Sequence, residues 1–143
     1  MIAIVSARRV IAPLLCALAL AGCATYGRIG PLPVIPDGSP TAEIIVAREY
    51  RFTGSAGPIA VAIDGIVRYQ IGTNEYVRIP VPPGHHIVGV RVPIGEEPSL
   101  ALDAEAGRRY GYLTWIGSII HPGPFIRAVE DIEALTSERT HVR

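Results

Sequence analysis

The chain has 143 residues, a formal net charge of zero, no lysine and only two cysteines, Cys16 and Cys23. This length suits one domain with a sizeable core, so folding needs no disulfide framework. A neutral composition also argues against nucleic-acid binding, which requires a basic face that displaces counterions.

The first 22 residues have the parts of an export signal. A short N-terminal region ends in Arg8 and Arg9, and the apolar run of residues 10–21 follows. Such a run suits the core of a signal peptide and is too short to span a bilayer. An arginine pair also occurs in twin-arginine signals, but the flanking residues lack the rest of that motif. We therefore predict an ordinary signal peptide over residues 1–22.

The leader ends in the tetrapeptide Leu20-Ala21-Gly22-Cys23, which resembles the bacterial lipobox at all four positions. The resemblance implies cleavage before Cys23, a diacylglycerol on its sulfur and an acyl chain such as palmitate on its amine. Two or three chains anchor durably, because each buried methylene contributes about 0.8 kcal/mol. Ala24 in place of aspartate implies, by resemblance to enterobacterial sorting, the outer membrane. We expect the domain on its periplasmic face, with the membrane as its partner through Cys23.

Residues 24–41 contain four prolines, at positions 31, 33, 36 and 40. Proline disfavours a helix and favours extended backbone. We predict a tether over residues 23–41 that reaches about 50 Å when stretched at roughly 3 Å per residue. The alternative is that part of the segment packs along the domain as an irregular edge. Four aliphatic residues would suit that arrangement: Ile29, Leu32, Val34 and Ile35.

From Ala42 onward the apolar residues recur with a period of two, which is typical of strands. Asp64-Gly65 and Pro82-Pro83-Gly84 are turn signals between the runs. Ile132 and Leu135 are spaced as on a helix, so residues 130–138 favour a short C-terminal helix. Seven or eight strands are predicted, at residues 43–50, 59–63, 66–71, 76–80, 85–92, 99–104, 108–116 and 125–129.

Short strands at regular spacing, with turn signals between them, favour an all-β fold, an antiparallel β-sandwich over residues 42–143. Strands and helices do not alternate, so a parallel nucleotide-binding sheet is not expected.

Residues 42–92 contain the runs Ala-Arg-Glu-Tyr-Arg-Phe, Ile-Asp-Gly and Pro-Gly-His-His-Ile-Val-Gly-Val. These runs resemble the DUF2846 family of small bacterial lipoproteins. They are also similar to the PEGA-type β-sandwich repeat, where an Ile-Asp-Gly strand precedes a Pro-Gly-x-His turn. Residues 104–112 match a later strand of such domains less specifically. The shared positions are turn and core residues. The resemblance therefore implies a fold and a cellular location, and it implies no catalytic residues.

Two motifs are similar to ligand-binding sites but lack the residues or the geometry that such sites require. Gly54-Ser55-Ala56-Gly57 lacks the lysine of a phosphate-binding loop, and Pro58 leads into a strand. His85 and His86 are neighbours on a strand and point to opposite faces, so they cannot chelate one ion. We therefore expect no metal or cofactor, and we place His86, partly buried, on the core face.

Several exposed positions are candidates for a partner surface. The loop of residues 51–58 contributes Phe52 and Ser55, since loops on a rigid scaffold often carry binding residues. Tyr110 and Tyr112 share one face of the longest strand, where core packing is the default and exposure would create a platform for a glycan or a protein. The segment of residues 115–125, in which Ile116, Ile119 and Ile120 are apolar, would continue this surface.

No nucleophile elbow of the Gly-x-Ser-x-Gly type occurs. We therefore predict a non-enzymatic lipoprotein that binds an envelope protein or polysaccharide, or that has a structural role in the envelope. The alternative is an enzyme acting on cell-wall glycan through dispersed carboxylates, for which Glu96-Glu97 and Glu130-Asp131 are the local acidic pairs. We interpret those pairs as solvated loop charge.

Overall fold

The computed structural model describes residues 26–52, 57–93 and 95–143. The predicted signal peptide, Cys23 and Ser55 lie outside these residues. The elements in chain order are β1 (Gly27–Arg28), β2 (Ala42–Arg48), β3 (Ile59–Ile63), β4 (Ile66–Ile71), β5 (Glu75–Val81), β6 (Gly84–Arg91), β7 (Ser99–Ala104), β8 (Arg109–Ile116), β9 (Pro124–Val129), α1 (Ile132–Ser137) and β10 (Thr140–His141).

Two sheets of five strands pack face to face, which confirms the predicted all-β sandwich. The strand order is β1-β4-β3-β6-β7 in the first sheet and β10-β5-β2-β8-β9 in the second. Pairing is antiparallel except between β2 and β8 and between β5 and β10, which run parallel. Parallel neighbours need a long crossover, and four of the five strands of the first sheet, all but β1, lie between β2 and β8 along the chain.

The main core fills the space between the sheets. Its members are aliphatic residues at alternate positions of the strands, as the period of two requires. Val61 and Ile63 on β3 and Val88 and Val90 on β6 face the second sheet. The second sheet contributes Ile44, Val46, Val77, Ile79, Val81 and Tyr112.

A second, smaller core lies on the outer face of the second sheet, beneath α1. Leu135 of the helix packs against Ile45, Ala47 and Leu113. The Asp131 carboxylate caps the helix by accepting a hydrogen bond from the Ala134 amide at 2.9 Å. Strand β2 is therefore buried on both faces, as the apolar residues at both its odd and even positions indicate.

The N-terminal segment packs along the edge of the first sheet. Strand β1 pairs with β4, and the amides of Ile29 and Gly30 both donate to the carbonyl of Arg68. The Arg68 guanidinium in turn donates to the carbonyl of Pro31, and Leu32 packs against the main core. The alternative prediction, in which part of this segment packs along the domain as an edge, therefore applies to residues 27–32. Of the segment predicted as a tether over residues 23–41, at least residues 27–32 lie against the domain.

Candidate functional site

The structure separates the three described residues of the predicted partner surface, Phe52, Tyr110 and Tyr112. Phe52 is 89% exposed, whereas Tyr112 is only 3% exposed and belongs to the main core. Tyr110 is half-buried against the same core, and its hydroxyl accepts a hydrogen bond from the Glu105 amide at 2.9 Å. The prediction of an exposed tyrosine platform is thus wrong for Tyr112, because the face of β8 that carries Tyr112 is turned toward the first sheet. Ser55 lies outside the described residues.

One end of the sandwich exposes a group of large apolar side chains. At this end β2, β4 and β8 finish and β5 and β9 begin, as the partners Ala47 with Tyr76 and Ile116 with Pro124 show. Five of the nine exposed large hydrophobic residues in the described part of the chain belong to the loops or strand ends here. We call this region the apolar end; its members are Tyr50, Phe52, Ile119, Ile120 and Phe125.

Trp115 lies near the end of β8, beside Phe125 of the apolar end. Its ring stacks on that of Phe125 with centroids 5.5 Å apart and planes 11° from parallel. The guanidinium carbons of Arg51 and Arg127 lie 5.2 Å and 6.0 Å from the centroid of Trp115. Cations at this distance are attracted to the negative face of the ring. Three separate elements thus meet in an apolar patch bordered by two arginines.

The exposed isoleucines belong to a tight loop between β8 and β9. The Gly117 amide donates to the Gly123 carbonyl at 2.9 Å, which closes the loop. A Cβ at Gly117 would collide with the carbonyl of His121, so the closed loop requires glycine there. Ile119 and Ile120, at the tip, are 91% and 83% exposed. The fold therefore holds two aliphatic side chains in water by a fixed backbone turn.

Arg48 connects the two sheets at the same end. Its side chain is buried and donates to the carbonyls of Gly57 at 2.6 Å and Ile71 at 3.1 Å. Burial lowers the pKa of Arg48, and the nearby Tyr26 and Glu75 oppose that change. Arginine titrates so far above neutrality that the guanidinium stays charged. Tyr26 lies here too, because a Cβ on Gly72 would come within 2.7 Å of its ring.

His86 is buried on the core face, as predicted. Its Nδ1 lies 2.8 Å from the Asp64 carboxylate and its Nε2 lies 2.8 Å from the Pro82 carbonyl. Both partners accept hydrogen bonds, which favours the doubly protonated ring. Burial lowers the pKa of His86, but the bonds to Asp64 and Pro82 outweigh it and leave the pKa raised. His85 points the other way, to Asp103, so the two histidines do not converge.

The Asp64–His86 pair predicts a decrease in stability on the alkaline side. The pKa of Asp64 is lowered, since the bonds from His86 and Ile87 outweigh the effect of burial. The raised pKa of His86 stabilises the fold below about pH 6.5, and this stabilisation is lost as pH rises through the folded value. The contribution of Asp64 is lost at the acid end, as pH falls below about 4. We therefore expect the free energy of unfolding to decrease as pH rises above about 6.5 and through the raised pKa of His86.

Urea unfolding followed by Trp115 fluorescence at several pH values measures this effect, with His86→Gln as the comparison. His141 has a lowered pKa, from burial and from Arg78 and Arg143, so its contribution has the opposite sign in both proteins. The difference between the two curves isolates His86. Parallel curves would show that the pair adds no pH-dependent stability.

An open cleft of about 530 Å³ lies at the edge where β1 and β10 meet. Four of its lining residues are basic: Arg28, Arg78, His141 and Arg143. Tyr69 and Val142 complete the lining. Three guanidinium groups around one cleft suit an anionic group, because each can donate two parallel hydrogen bonds to a carboxylate or phosphate. We call this the arginine cleft.

The acidic pairs noted in the sequence have local roles. Glu97 accepts a hydrogen bond from Arg91 at 2.7 Å, and Asp131 caps α1. Among the described residues, no group of three or more His, Cys, Asp or Glu side chains is placed to hold a metal ion. In the same part of the chain, no helix has the length and apolarity to cross a bilayer.

The chain matches no protein-family model, no curated protein and no solved structure.

Proposed function

We propose that this chain is a lipoprotein of the bacterial cell envelope, anchored through Cys23, whose β-sandwich is a non-enzymatic binding or structural module. The observation that carries the proposal is the Leu20-Ala21-Gly22-Cys23 tetrapeptide behind a basic and apolar leader. Lipid on Cys23 places the domain at a membrane, and Ala24 favours the periplasmic face of the outer membrane. Membership in the DUF2846 family is part of the same proposal and rests on residues 42–92.

The geometry supports a binding or structural module rather than a catalyst. The apolar end and the arginine cleft are surfaces of a rigid sandwich, and each suits contact with another envelope component. The cleft carries the charge needed for an anionic polysaccharide or an acidic protein segment. Glu97 and Asp131 are engaged by Arg91 and by the helix, so no described observation favours the glycan-acting enzyme.

Replacing Cys23 with serine is expected to abolish both lipidation and cleavage of the leader. Serine lacks the thiol that accepts the diacylglycerol, so the peptidase that requires the modified cysteine should leave the leader uncut. Cys16→Ser is the matched control, because Cys16 is the only other cysteine and lies inside the leader. Cells grown with radiolabelled palmitate should label the wild-type chain and Cys16→Ser, and should not label Cys23→Ser.

Fractionation completes the test. The labelled chains should sediment with membranes, and separation of inner from outer membranes on a sucrose gradient tests the outer-membrane assignment. Labelling of Cys23→Ser at the wild-type level would refute the lipoprotein proposal.

A further inference from the structure

The first described residue fixes the place where a lipid on Cys23 would meet the domain. Three peptide units separate Cys23 from Tyr26, so their Cα atoms are at most about 11 Å apart. The Tyr26 ring packs over Gly72, and Tyr26 and Glu75 both act on the charge of Arg48. All of these residues lie at the apolar end. The anchor therefore attaches at that end, in an inference that rests on the lipidation of Cys23 proposed above.

Strand register places the exposed apolar loops at the same end as the anchor. Strand β1 runs away from this end, since Gly27 pairs with Gln70 and Arg28 with Tyr69. The loop with Ile119 and Ile120 follows β8, whose last residues pair with the first residues of β9. The chain that leads to Cys23 therefore leaves the apolar end at one corner. The side chains of Ile119 and Ile120 lie at another corner of the same end.

We propose that the apolar end lies in the interfacial layer of the bilayer, with Ile119, Ile120 and Phe52 inserted among the lipids beside the Cys23 anchor. Apolar side chains of peripheral proteins enter this layer to a depth of about 5–10 Å. Trp115 then lies at the boundary between the headgroups and the acyl chains, within the interfacial region where tryptophan is enriched in membrane proteins. The domain is held by lipid at one corner and by protein side chains at another.

Charge at the apolar end is nearly balanced. Arg51 and Arg127 flank Trp115, but Glu49 accepts a hydrogen bond from Arg51 at 2.9 Å. Glu96 borders a surface depression next to Phe125. Attraction to anionic lipids is therefore a minor contribution, and insertion depends on apolar contact. We expect insertion into neutral vesicles, with little dependence on salt.

Two points of contact fix the orientation of the domain. A lipid at one corner alone is a single attachment and would leave the sandwich free to rotate. Insertion of the loop of residues 117–123 removes that freedom and directs the strands away from the bilayer. The arginine cleft is lined by Arg28, which pairs with Tyr69 inside β4, and by Arg78 at the middle of β5, so it stays in water and open to a partner.

Trp115 is the only tryptophan of the chain, so its fluorescence reports on this end alone. The lipidated protein, purified from membranes, is reconstituted into phosphatidylcholine vesicles with or without bromine on the upper acyl carbons. Bromine quenches tryptophan on contact. We expect the brominated lipid to reduce Trp115 emission about twofold or more, because the interfacial layer places Trp115 beside the bromines.

The variant Ile119→Asp/Ile120→Asp should lose most of this quenching while it still floats with the vesicles through its lipid. Both side chains are exposed, so the substitutions should leave the fold intact, which circular dichroism checks. The matched control is Ile66→Asp, since Ile66 is exposed beside the Asp64–Gly65 turn at the opposite end of β4. It should be quenched like the wild type.

Three negative outcomes are distinguishable. A wild-type protein that floats with the vesicles without being quenched refutes insertion of the apolar end and leaves the anchor intact. Equal quenching of the wild type and the double isoleucine variant refutes the role of the loop. A wild-type protein that does not float at all refutes the lipid anchor, and the insertion proposal falls with it.

Discussion

Replacing Arg48 with alanine should destabilise the protein by about 3–5 kcal/mol, since hydrogen bonds to charged groups contribute about 1.5–3 kcal/mol each. The guanidinium donates to the carbonyls of Gly57 and Ile71, which belong to the approach to β3 and the end of β4. Without it, these carbonyls lose their charged donor and the volume of a buried side chain is left empty. Urea unfolding followed by Trp115 fluorescence measures the loss.

Arg51→Ala is the matched control at the same end of the sandwich. Arg51 is exposed and makes an ion pair with Glu49 and a contact with Trp115. Exposed ion pairs contribute about 0–1 kcal/mol, so we expect a change of less than about 1 kcal/mol. Equal losses for the two variants would mean that the buried guanidinium does not hold the sheets together.

Leu135→Ala should cost about 2–4 kcal/mol, as is usual for removing a buried leucine side chain. Leu135 is the buried residue of α1 and covers Ile45, Ala47 and Leu113. A helix of six residues is not stable by itself, so the truncation should also release α1 from the sheet. Hydrogen exchange of the α1 amides and the midpoint of urea unfolding would both report the change.

Ser137→Ala tests whether the loss is specific to the buried side chain. Ser137 ends the same helix and is exposed, so its substitution should change stability by no more than about 0.5 kcal/mol. Retained protection of the α1 amides in Leu135→Ala would show that other contacts dock the helix.

Much of the fold follows from the alternation of apolar residues. The eight strands from β2 to β9 were predicted within two residues of their observed bounds, because each carries several alternating positions between turn signals. Strands β1 and β10 were missed, since two residues have no periodicity. The parallel pairing of β2 with β8 was also missed, because a pattern within one strand does not name its neighbour.

The candidate site was predictable only in part. The sequence singled out Phe52 and the segment of residues 115–125. It gave no sign that Arg51 and Arg127 meet Trp115, because they come from three elements whose adjacency depends on sheet order. The burial of Arg48 did have a signal in the sequence. An arginine at an inward position of an alternating strand indicates a buried charge that has hydrogen-bond partners.

The parallel pair at the centre of the second sheet also determines when this domain can fold. Glu43 lies opposite Arg109, 109 − 43 = 66 positions later in the chain. Closing so long a loop is slow, and folding rates decrease as contacts become more distant in sequence. Until β8 is available, β2 has an unpaired edge and apolar residues on both faces, a combination that promotes aggregation. If the chain reaches its compartment unfolded, the residues up to the end of β8 must therefore arrive before β2 can pair with β8.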